Sequence, residues 1–390
     1  MTPFDFDRIP ARRDSDSNKW RKFPADVLPL WVADMDFASP PAVVAALHAR
    51  VEHGFFGYLT ESPELREVVA ERLAKRYGWR VEPEAVVPVP GVNSGVNLAV
   101  RALTKPGDGL LVQTPIYPPL LRAAGNHGVA RHGHPLSREA DGRYSIDTDA
   151  FARTIRAETR AFLLCNPHNP VGRLFERQEL SAMASACLRH DLWIIADEIH
   201  SDLVFDGRQH TPMATIAPEI EQRTITFVAP SKTFNIPGLK CAVAVVPNAG
   251  LRARLTAAAS DLVPKINALG HAAAVAAYRE GDPWLQALLR YLEDNRDFLA
   301  REVSRRLPGV RMGVPEATYL AWLDCRETGL ADPYAFFLEH AKVALNDGKT
   351  FGPGGEGFVR LNFGCPRALL AEALVRMANA LERRQAAEVR

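Results

Sequence analysis

The chain has 390 residues, and 47 Lys and Arg against 46 Asp and Glu leave a formal net charge of +1. This balance disfavours a strongly basic nucleic-acid-binding protein and an acidic disordered tail. Five cysteines without a CxxC pair disfavour a disulfide framework and a zinc ribbon. The N-terminal residues lack the apolar core of a secretory signal, and the longest apolar run is too short to span a bilayer. We therefore expect a cytoplasmic protein without nucleic-acid or membrane partners.

Helical and strand patterns alternate between residues 41 and 281. Ser39 and Ser62 each precede a proline, which predicts a capped helix start at both places. Several later runs are apolar throughout, as in strands that are covered on both faces. The predicted strands are 85–89, 109–113, 160–165, 192–196, 224–228 and 240–246, with helical stretches such as 176–190 between many of them. The alternation predicts an α/β fold with a mostly parallel sheet covered by helices.

The pattern changes after residue 281. Pro283 begins a long amphipathic helix, and predicted strands at 319–323 and 358–363 precede a charged final helix. We interpret this part as a smaller α+β domain. The predicted organisation is an N-terminal segment (1–40) that joins the small domain, a large domain (41–281) and a small C-terminal domain (282–390).

Two motifs are set aside. Residues 352–357 match GxGxxG, but a strand-like run follows where a dinucleotide site needs a helix, so we predict a turn. His132 and His134 have no nearby acidic or cysteine residues, so we predict a surface loop there and no metal site.

Two strand-end residues are suited to amine chemistry. Lys232 lies among Ser, Thr, Phe and Pro after the predicted strand 224–228. A partly desolvated lysine in a cationic environment has a lowered pKa and can form a Schiff base, although a surface lysine is the alternative. Asp197 follows an apolar strand, where a buried carboxylate needs a cation or several hydrogen bonds, and a helix N-cap is the alternative. Ligands of open α/β sheets bind outside the carboxyl ends of strands.

Two further residues are suited to ligand binding. Asn169 lies in a stretch with two Asn-Pro steps and a glycine, which either aims amides at a ligand or is simply a turn. Arg360 lies within an otherwise apolar strand, where its guanidinium needs a partner. A substrate carboxylate and an internal salt bridge are the two alternatives.

Together these segments resemble the fold-type I family of pyridoxal 5′-phosphate (PLP) enzymes, the aspartate aminotransferase superfamily. The resemblance runs across nearly the whole chain: a phosphate-binding turn, an Asn-Pro-x-Gly turn, a strand-end Asp, Ser-x-x-Phe around a lysine and a late arginine. Finer motifs resemble the MalY/PatB-type C–S lyases, or cystathionine β-lyases. These motifs are Trp31-Val-Ala-Asp34-Met-Asp-Phe37, His53-Gly-Phe-Phe-Gly-Tyr58, Asp197-Glu-Ile-His200, Ser231–Pro237, Thr318–Leu323 and Phe358–Pro366.

The resemblance implies a role for each matching residue. Lys232 would bind PLP covalently and later take the substrate Cα proton, and Asp197 would pair with the pyridinium nitrogen. Tyr58 would act in the neighbouring subunit's site, which implies a homodimer with shared active sites. The substrate would be bound by Arg360, Asn169 and Asp34. The other cofactor contacts would come from Gly91, Val92, Asn93, Tyr117, Asn169, His200, Ser231 and Lys240.

These cofactor contacts divide by the part of PLP that they would reach. Asn169 and His200 would reach the ring 3-oxygen, and Tyr117 would stack on the ring. The phosphate would lie on the backbone amides of residues 91–93 at a helix N-terminus, helped by Ser231 and Lys240. Two departures bear on the phosphate: Ala229 replaces a frequent serine, and Lys240 replaces a frequent arginine, which loses the bidentate geometry.

The function implied is PLP-dependent β-elimination from L-cystathionine or related L-cysteine S-conjugates. An aminotransferase would use the same residues and differ only after the Cα proton has been removed. A regulatory PLP-fold binding protein is a weaker alternative, because a purely binding role needs none of this chemistry. The residues themselves leave the thiol side of the substrate and the pathway open.

Overall fold

The computed structural model describes residues 4–9, 11–60, 63–260 and 262–388. Its helices are α1 (Asn18–Arg21), α2 (Pro41–Glu52), α3 (Pro63–Tyr77), α4 (Val92–Leu103), α5 (Pro118–Arg122), α6 (Thr148–Thr154), α7 (Arg177–Arg189), α8 (Pro218–Glu221), α9 (Pro230–Thr233), α10 (Ala249–Ala259), α11 (Ala268–Glu280), α12 (Asp282–Arg306), α13 (Pro333–Phe336) and α14 (Arg367–Glu388). Its strands are β1 (Leu28–Pro29), β2 (Val86–Val89), β3 (Gly109–Thr114), β4 (Ala130–Pro135), β5 (Ser137–Arg138), β6 (Tyr144–Ser145), β7 (Thr159–Cys165), β8 (Trp193–Asp197), β9 (Thr224–Val228), β10 (Ala242–Val245), β11 (Arg311–Met312), β12 (Leu320–Asp324), β13 (Val343–Ala344), β14 (Asn346–Asp347) and β15 (Phe358–Asn362).

The main sheet has the strand order β2-β10-β9-β8-β7-β3-β4. The strands from β9 to β4 run parallel, and β10 is antiparallel to both of its neighbours. This confirms the predicted α/β fold with a mostly parallel sheet. Asp197 at the end of β8 is level with Cys165 of β7 and Phe227 of β9. The segments that follow these three strands therefore meet at one edge of the sheet.

Alternate strand residues face two separate hydrophobic cores. Ile195 and Ile225 belong to one core, whereas Ile194 and Ala196 belong to the other. Burial on both faces explains why these strands are apolar throughout. On the first face, α4 approaches β9 closely because Gly95 has no side chain: a Cβ there would lie 2.4 Å from the Phe227 ring. This close packing fixes the start of α4 beside the sheet edge.

A smaller antiparallel sheet has the order β11-β12-β15-β14. Its strands and the helices α12 and α14 share one core with residues of the N-terminal segment, and β1 pairs in parallel with β13. These elements form the smaller α+β part expected from the sequence. The boundaries at residues 40 and 281 stay a prediction.

The sequence located most main-sheet strands to within one residue, but two details are wrong. His132 does not lie in a surface loop: it is buried in the edge strand β4, with Nδ1 2.7 Å from Thr159 Oγ1. Polar residues on a buried strand face concealed this strand. Ser39 does not cap α2, since its hydroxyl donates to the Asn235 carbonyl. The second predicted cap, Ser62, lies outside the described residues, while the predicted turn at 352–357 is confirmed.

Candidate active site

A cavity of about 320 Å³ opens at the carboxyl edge of the main sheet. Ten of the predicted cofactor-binding residues line it: Gly91, Val92, Asn93, Tyr117, Asn169, Asp197, His200, Ser231, Lys232 and Lys240. Asn169 follows β7, Asp197 ends β8, and Lys232 follows β9 within α9; we call these three residues the pocket floor.

Lys232 is held within the pocket and is not a surface lysine. It lies in the short helix α9, and its Nζ donates a hydrogen bond of 2.6 Å to the carbonyl oxygen of Ala33. Burial lowers the pKa of Lys232 to about 8, and the positive charge of Arg360 acts in the same direction. The charges of Asp34 and Asp197 oppose this shift. A lysine with this pKa supplies a substantial fraction of neutral amine near neutral pH.

Asp197 ends β8 as a buried carboxylate. Its Oδ1 accepts a hydrogen bond of 3.1 Å from the Ile199 amide. No described helix begins at this residue, so the N-cap alternative is wrong. Burial raises the pKa of Asp197 to about 7, while the positive charge of Lys232 lowers it. A buried carboxylate of this kind is suited to a cationic ring nitrogen, which would keep it ionised.

His200 and Asn169 bring polar groups to the same cavity. His200 is buried, and its Nδ1 has no hydrogen-bond partner among the described residues. Burial lowers the pKa of His200 to about 3, with help from the charges of Lys232 and Arg360. The imidazole is therefore neutral and retains an open nitrogen. Asn169 is also buried, and its Oδ1 accepts a hydrogen bond of 2.9 Å from Arg360 Nη1.

Arg360 is a buried guanidinium with neutral partners. Besides Asn169, it donates through Nη2 to the carbonyl of Trp31 at 3.1 Å and to Asn346 Oδ1 at 2.5 Å. Its Nε has no partner among the described residues, and none of their carboxylates forms an ion pair with it. The salt-bridge alternative is therefore wrong. Burial lowers the pKa of Arg360 to about 10, so the group stays cationic and suits an incoming carboxylate.

The opposite end of the cavity is suited to an anion. Gly91, with φ of 140°, precedes α4, whose first residues Val92 and Asn93 line the cavity. A twelve-residue helix presents free amides and the positive end of its dipole there. Lys240 adds a cation and Ser231 a hydroxyl. Ser94, which the sequence analysis missed, also lines this end and follows directly on the predicted turn.

Two predicted site residues lie elsewhere in this chain. Asp34 is absent from the cavity lining: its carboxylate forms a two-point ion pair with Arg12, at 3.0 Å for both contacts. Tyr58 is fully exposed in a segment without regular secondary structure, and it lines a second cavity together with residues 264–269. Their roles in substrate and cofactor binding stay predictions.

The sequence analysis also missed a wall made of main-chain atoms. We call residues 31–34 the strap; within it, Ala33 lines the cavity. The Ala33 carbonyl accepts hydrogen bonds from Lys232 and from the Tyr319 hydroxyl, at 2.6 and 3.0 Å. The motif around Trp31 marked this segment by resemblance, but a carbonyl oxygen carries no sequence signal of its own.

Comparison with known proteins agrees with this geometry. Residues 25–377 match the family described as aminotransferase class I and II. The chain belongs to this family. It is 40% identical to cystathionine beta-lyase PatB of Bacillus subtilis, over 96% of this chain and 99% of PatB. The predicted family membership is therefore confirmed.

Solved structures of family members superpose over nearly the whole chain. A crystal structure of OvoB has a TM-score of 0.93 and 46% identity, covering 97% of this chain and 99% of that one. The crystal structure of cystalysin from Treponema denticola, which contains PLP, has a TM-score of 0.93 and 32% identity, with the same coverage of both chains.

The cavity fits PLP on its own chemistry. The buried carboxylate of Asp197 matches a pyridinium nitrogen, the open Nδ1 of His200 matches a polar ring substituent, and the α4 amides match a phosphate. Among the described residues, no group of three or more His, Cys, Asp and Glu is arranged to hold a metal ion. No helix in that part of the chain is long and apolar enough to cross a membrane.

Proposed function

We propose that this protein is a PLP-dependent carbon–sulfur β-lyase. Its substrates are L-cystathionine or related L-cysteine S-conjugates, and its products are a thiol, pyruvate and ammonia. The observation that carries the proposal is that two groups occur together in the site. One is Lys232, whose pKa is lowered, and the other is Arg360, a buried guanidinium whose hydrogen-bond partners are all neutral. This pair is suited to an amino acid, which brings one amine and one carboxylate. The 40% identity to PatB favours elimination over transamination.

The residues divide the work of the reaction. PLP, when bound, withdraws electrons from the substrate Cα and so makes its proton removable. Asp197 holds the pyridinium nitrogen in its protonated form. Arg360 binds the α-carboxylate, which fixes the orientation of the Cα–H bond. Lys232 would hold the cofactor, and its Nζ, once free, would take the Cα proton.

The second half of the reaction breaks the bond between Cβ and sulfur. The electron pair of that bond leaves on sulfur, and the Lys232 ammonium returns a proton to the thiolate. Water then converts the three-carbon remainder to pyruvate and ammonia. Because the leaving group departs from the substrate, the cycle needs no 2-oxo acid as a second substrate.

The deciding experiment measures thiol and pyruvate released from L-cystathionine by the purified holoenzyme, without a 2-oxo acid. We expect equal amounts of both products over many turnovers. Lys232→Ala should lower this rate by on the order of 10³-fold or more, because it removes the group that takes the Cα proton. Lys105→Ala, at an exposed position outside the cavity, is the matched control. Turnover that appears only after a 2-oxo acid is added would identify an aminotransferase instead.

We also propose a homodimer in which Tyr58 serves the neighbouring subunit's site. Supporting this, Tyr58 is fully exposed and lies outside its own cavity, and Phe55 and Phe56 beside it are exposed apolar side chains. Light scattering should give twice the chain mass of 43.0 kDa.

Mixed dimers test the sharing of Tyr58. Lys232→Ala and Tyr58→Ala should each be inactive as pure dimers. An equal mixture, allowed to exchange subunits, should recover about a quarter of the wild-type activity, because each mixed dimer contains one intact site. If exchange is demonstrated and no activity returns, Tyr58 acts within its own subunit or not at all.

A cytoplasmic location is proposed as well. All five cysteines are buried and free, as expected of a protein in a reducing compartment. The division into residues 1–40, 41–281 and 282–390 is likewise proposed, with the main sheet in the second part and the smaller sheet in the third.

A further inference from the structure

The strap turns every one of its carbonyls toward the small sheet or the reacting lysine. Four successive carbonyls, those of residues 31, 32, 33 and 34, each accept at least one side-chain hydrogen bond. In order, the donors are Arg360 at 3.1 Å, Asn362 at 2.7 Å, Lys232 and Tyr319 at 2.6 and 3.0 Å, and Asn362 and Lys19 at 2.7 and 2.9 Å. The backbone of this segment is therefore fixed at each residue.

A buried charge cluster, which we call the outer tie, holds the strap through the hydrogen bond from Lys19 to the Asp34 carbonyl. The Lys19 side chain is completely buried, and its Nζ lies 2.7 Å from Asp36 Oδ2. Asp36 also accepts hydrogen bonds of 2.8 Å from Arg12 Nη1 and from Trp20 Nε1. Both oxygens of this carboxylate therefore accept hydrogen bonds, and breaking such a buried cluster is costly. The cluster ties the strap to the chain before it.

Asn235, three residues after Lys232, holds the residues that directly follow the strap, and we call its contacts the inner tie. Its Oδ1 accepts from the Met35 amide at 2.9 Å. Its Nδ2 donates to the carbonyls of Met35 and Phe37 at 2.9 and 2.7 Å. One side chain therefore joins the segment after the strap to the loop that carries the reacting amine, and it sets the distance between them.

This arrangement matters when the charge on Lys232 changes. The amine becomes an ammonium on taking a proton, and an ammonium must donate hydrogen bonds in a place where burial disfavours its charge. The carbonyl of Ala33 is the acceptor that the structure gives it. A hydrogen bond to the charged form stabilises that form.

We propose that the Ala33 carbonyl is the hydrogen-bond acceptor that stabilises protonated Lys232. Asn235 and the Lys19–Asp36 pair are positioning residues that hold this carbonyl in place. The proposal deepens the proposed function and rests on it for its kinetic consequence. Asn235 and Lys19 contribute without touching the substrate, through the position of one backbone oxygen.

The test measures the protonation of Lys232 in the full-length chain freed of cofactor. The rate of reductive methylation at Lys232, followed by mass spectrometry against pH, gives the midpoint at which the amine becomes neutral. Asn235→Gly removes the inner tie without changing a charge and without strain at the positive φ of 55°. Its midpoint should fall by about one pH unit, since the acceptor of the ammonium is displaced. Asn126→Ala, at an exposed position, is the matched control and should leave the midpoint unchanged.

A variant of opposite sign sharpens the test. Tyr319→Phe removes the second donor to the Ala33 carbonyl and leaves Lys232 as its sole side-chain donor. The midpoint should therefore rise. Lys19→Met tests the outer tie and should lower the midpoint as Asn235→Gly does, whereas Arg21→Met, an exposed cation of the same helix, should not.

The kinetic arm uses the holoenzyme and L-cystathionine. Asn235→Gly should lower kcat by roughly tenfold and change KM little, because Lys232 acts after the substrate is bound. An unchanged labelling midpoint in both Asn235→Gly and Lys19→Met, with each variant folded by circular dichroism, would overturn the proposal. Labelling needs no turnover, so absence of lyase activity in the wild type would refute the proposed function and leave this measurement interpretable.

Discussion

The pocket floor and the strap meet at the Lys232 amine, but they are built from different kinds of chemical group. The floor uses side chains, namely the Asp197 carboxylate and the Asn169 amide. These lie at the end of one parallel strand and just after the end of its neighbour. The strap uses main-chain carbonyls that distant ion pairs and amides hold in place. The chemistry of the floor therefore depends on the residue types at the strand ends. The position of the strap depends instead on the side chains elsewhere in the chain that bind its backbone.

Because of this difference, variants of the two regions should affect the reaction in different ways. Under the proposed function, a change in the floor would remove a group that contacts the cofactor or the substrate, and it would act on the reaction directly. A change in the strap's anchors leaves every reacting group present and alters only its surroundings. Variants of the two regions should consequently differ in size of effect and in which kinetic constant moves.

After Lys232→Ala, the largest effect is expected from Asp197→Asn in the floor. The neutral amide has nearly the same shape but cannot balance a pyridinium charge, so kcat for thiol release should fall on the order of 10²–10³-fold. The control is Asp191→Asn, at an exposed aspartate paired with Arg223 just before β8. If kcat of Asp197→Asn equals that of the control, the carboxylate does not partner the ring nitrogen.

A smaller effect is expected from Arg360→Lys, because Arg360 contacts both regions. Lysine keeps the positive charge but lacks the planar set of donors. It cannot donate to Asn169 of the floor and to the Trp31 carbonyl of the strap and also bind a carboxylate at two points. KM for L-cystathionine should rise about 10–100-fold, with a lesser change in kcat. Arg311→Lys, an exposed arginine paired with Glu327, serves as the control. A loss in kcat alone would show that Arg360 acts on the chemical step instead.

The floor could be predicted because its signals are local. An apolar strand followed by a polar residue places that residue at the sheet edge, which made Asp197 and Lys232 candidates, with a helix N-cap and a surface lysine as the alternatives. The same reasoning left two alternatives for Arg360. The structure speaks against the internal salt bridge because it shows which described groups, from distant parts of the chain, surround the guanidinium. Binding of a substrate carboxylate by Arg360 stays a prediction.

The strap could not be predicted in the same way. The contact between Lys232 and the Ala33 carbonyl joins residues 199 positions apart, and every residue has a carbonyl. Asn235 lay within a noted motif, but its two-sided hydrogen bonding depends on how the strap passes it. His132 shows the converse problem, since a histidine on a buried strand face conceals the alternation that marks a strand.

Because every carbonyl of the strap accepts a hydrogen bond, the strap has a particular tolerance to sequence change. Since the contacts are made by backbone atoms, they depend on the number of residues between Lys19 and Asp36 more than on the side chain at a half-exposed position such as Val32. Removing a single residue from that interval would shift each oxygen out of register with its donor. This segment should therefore tolerate substitutions at half-exposed positions better than an insertion or a deletion.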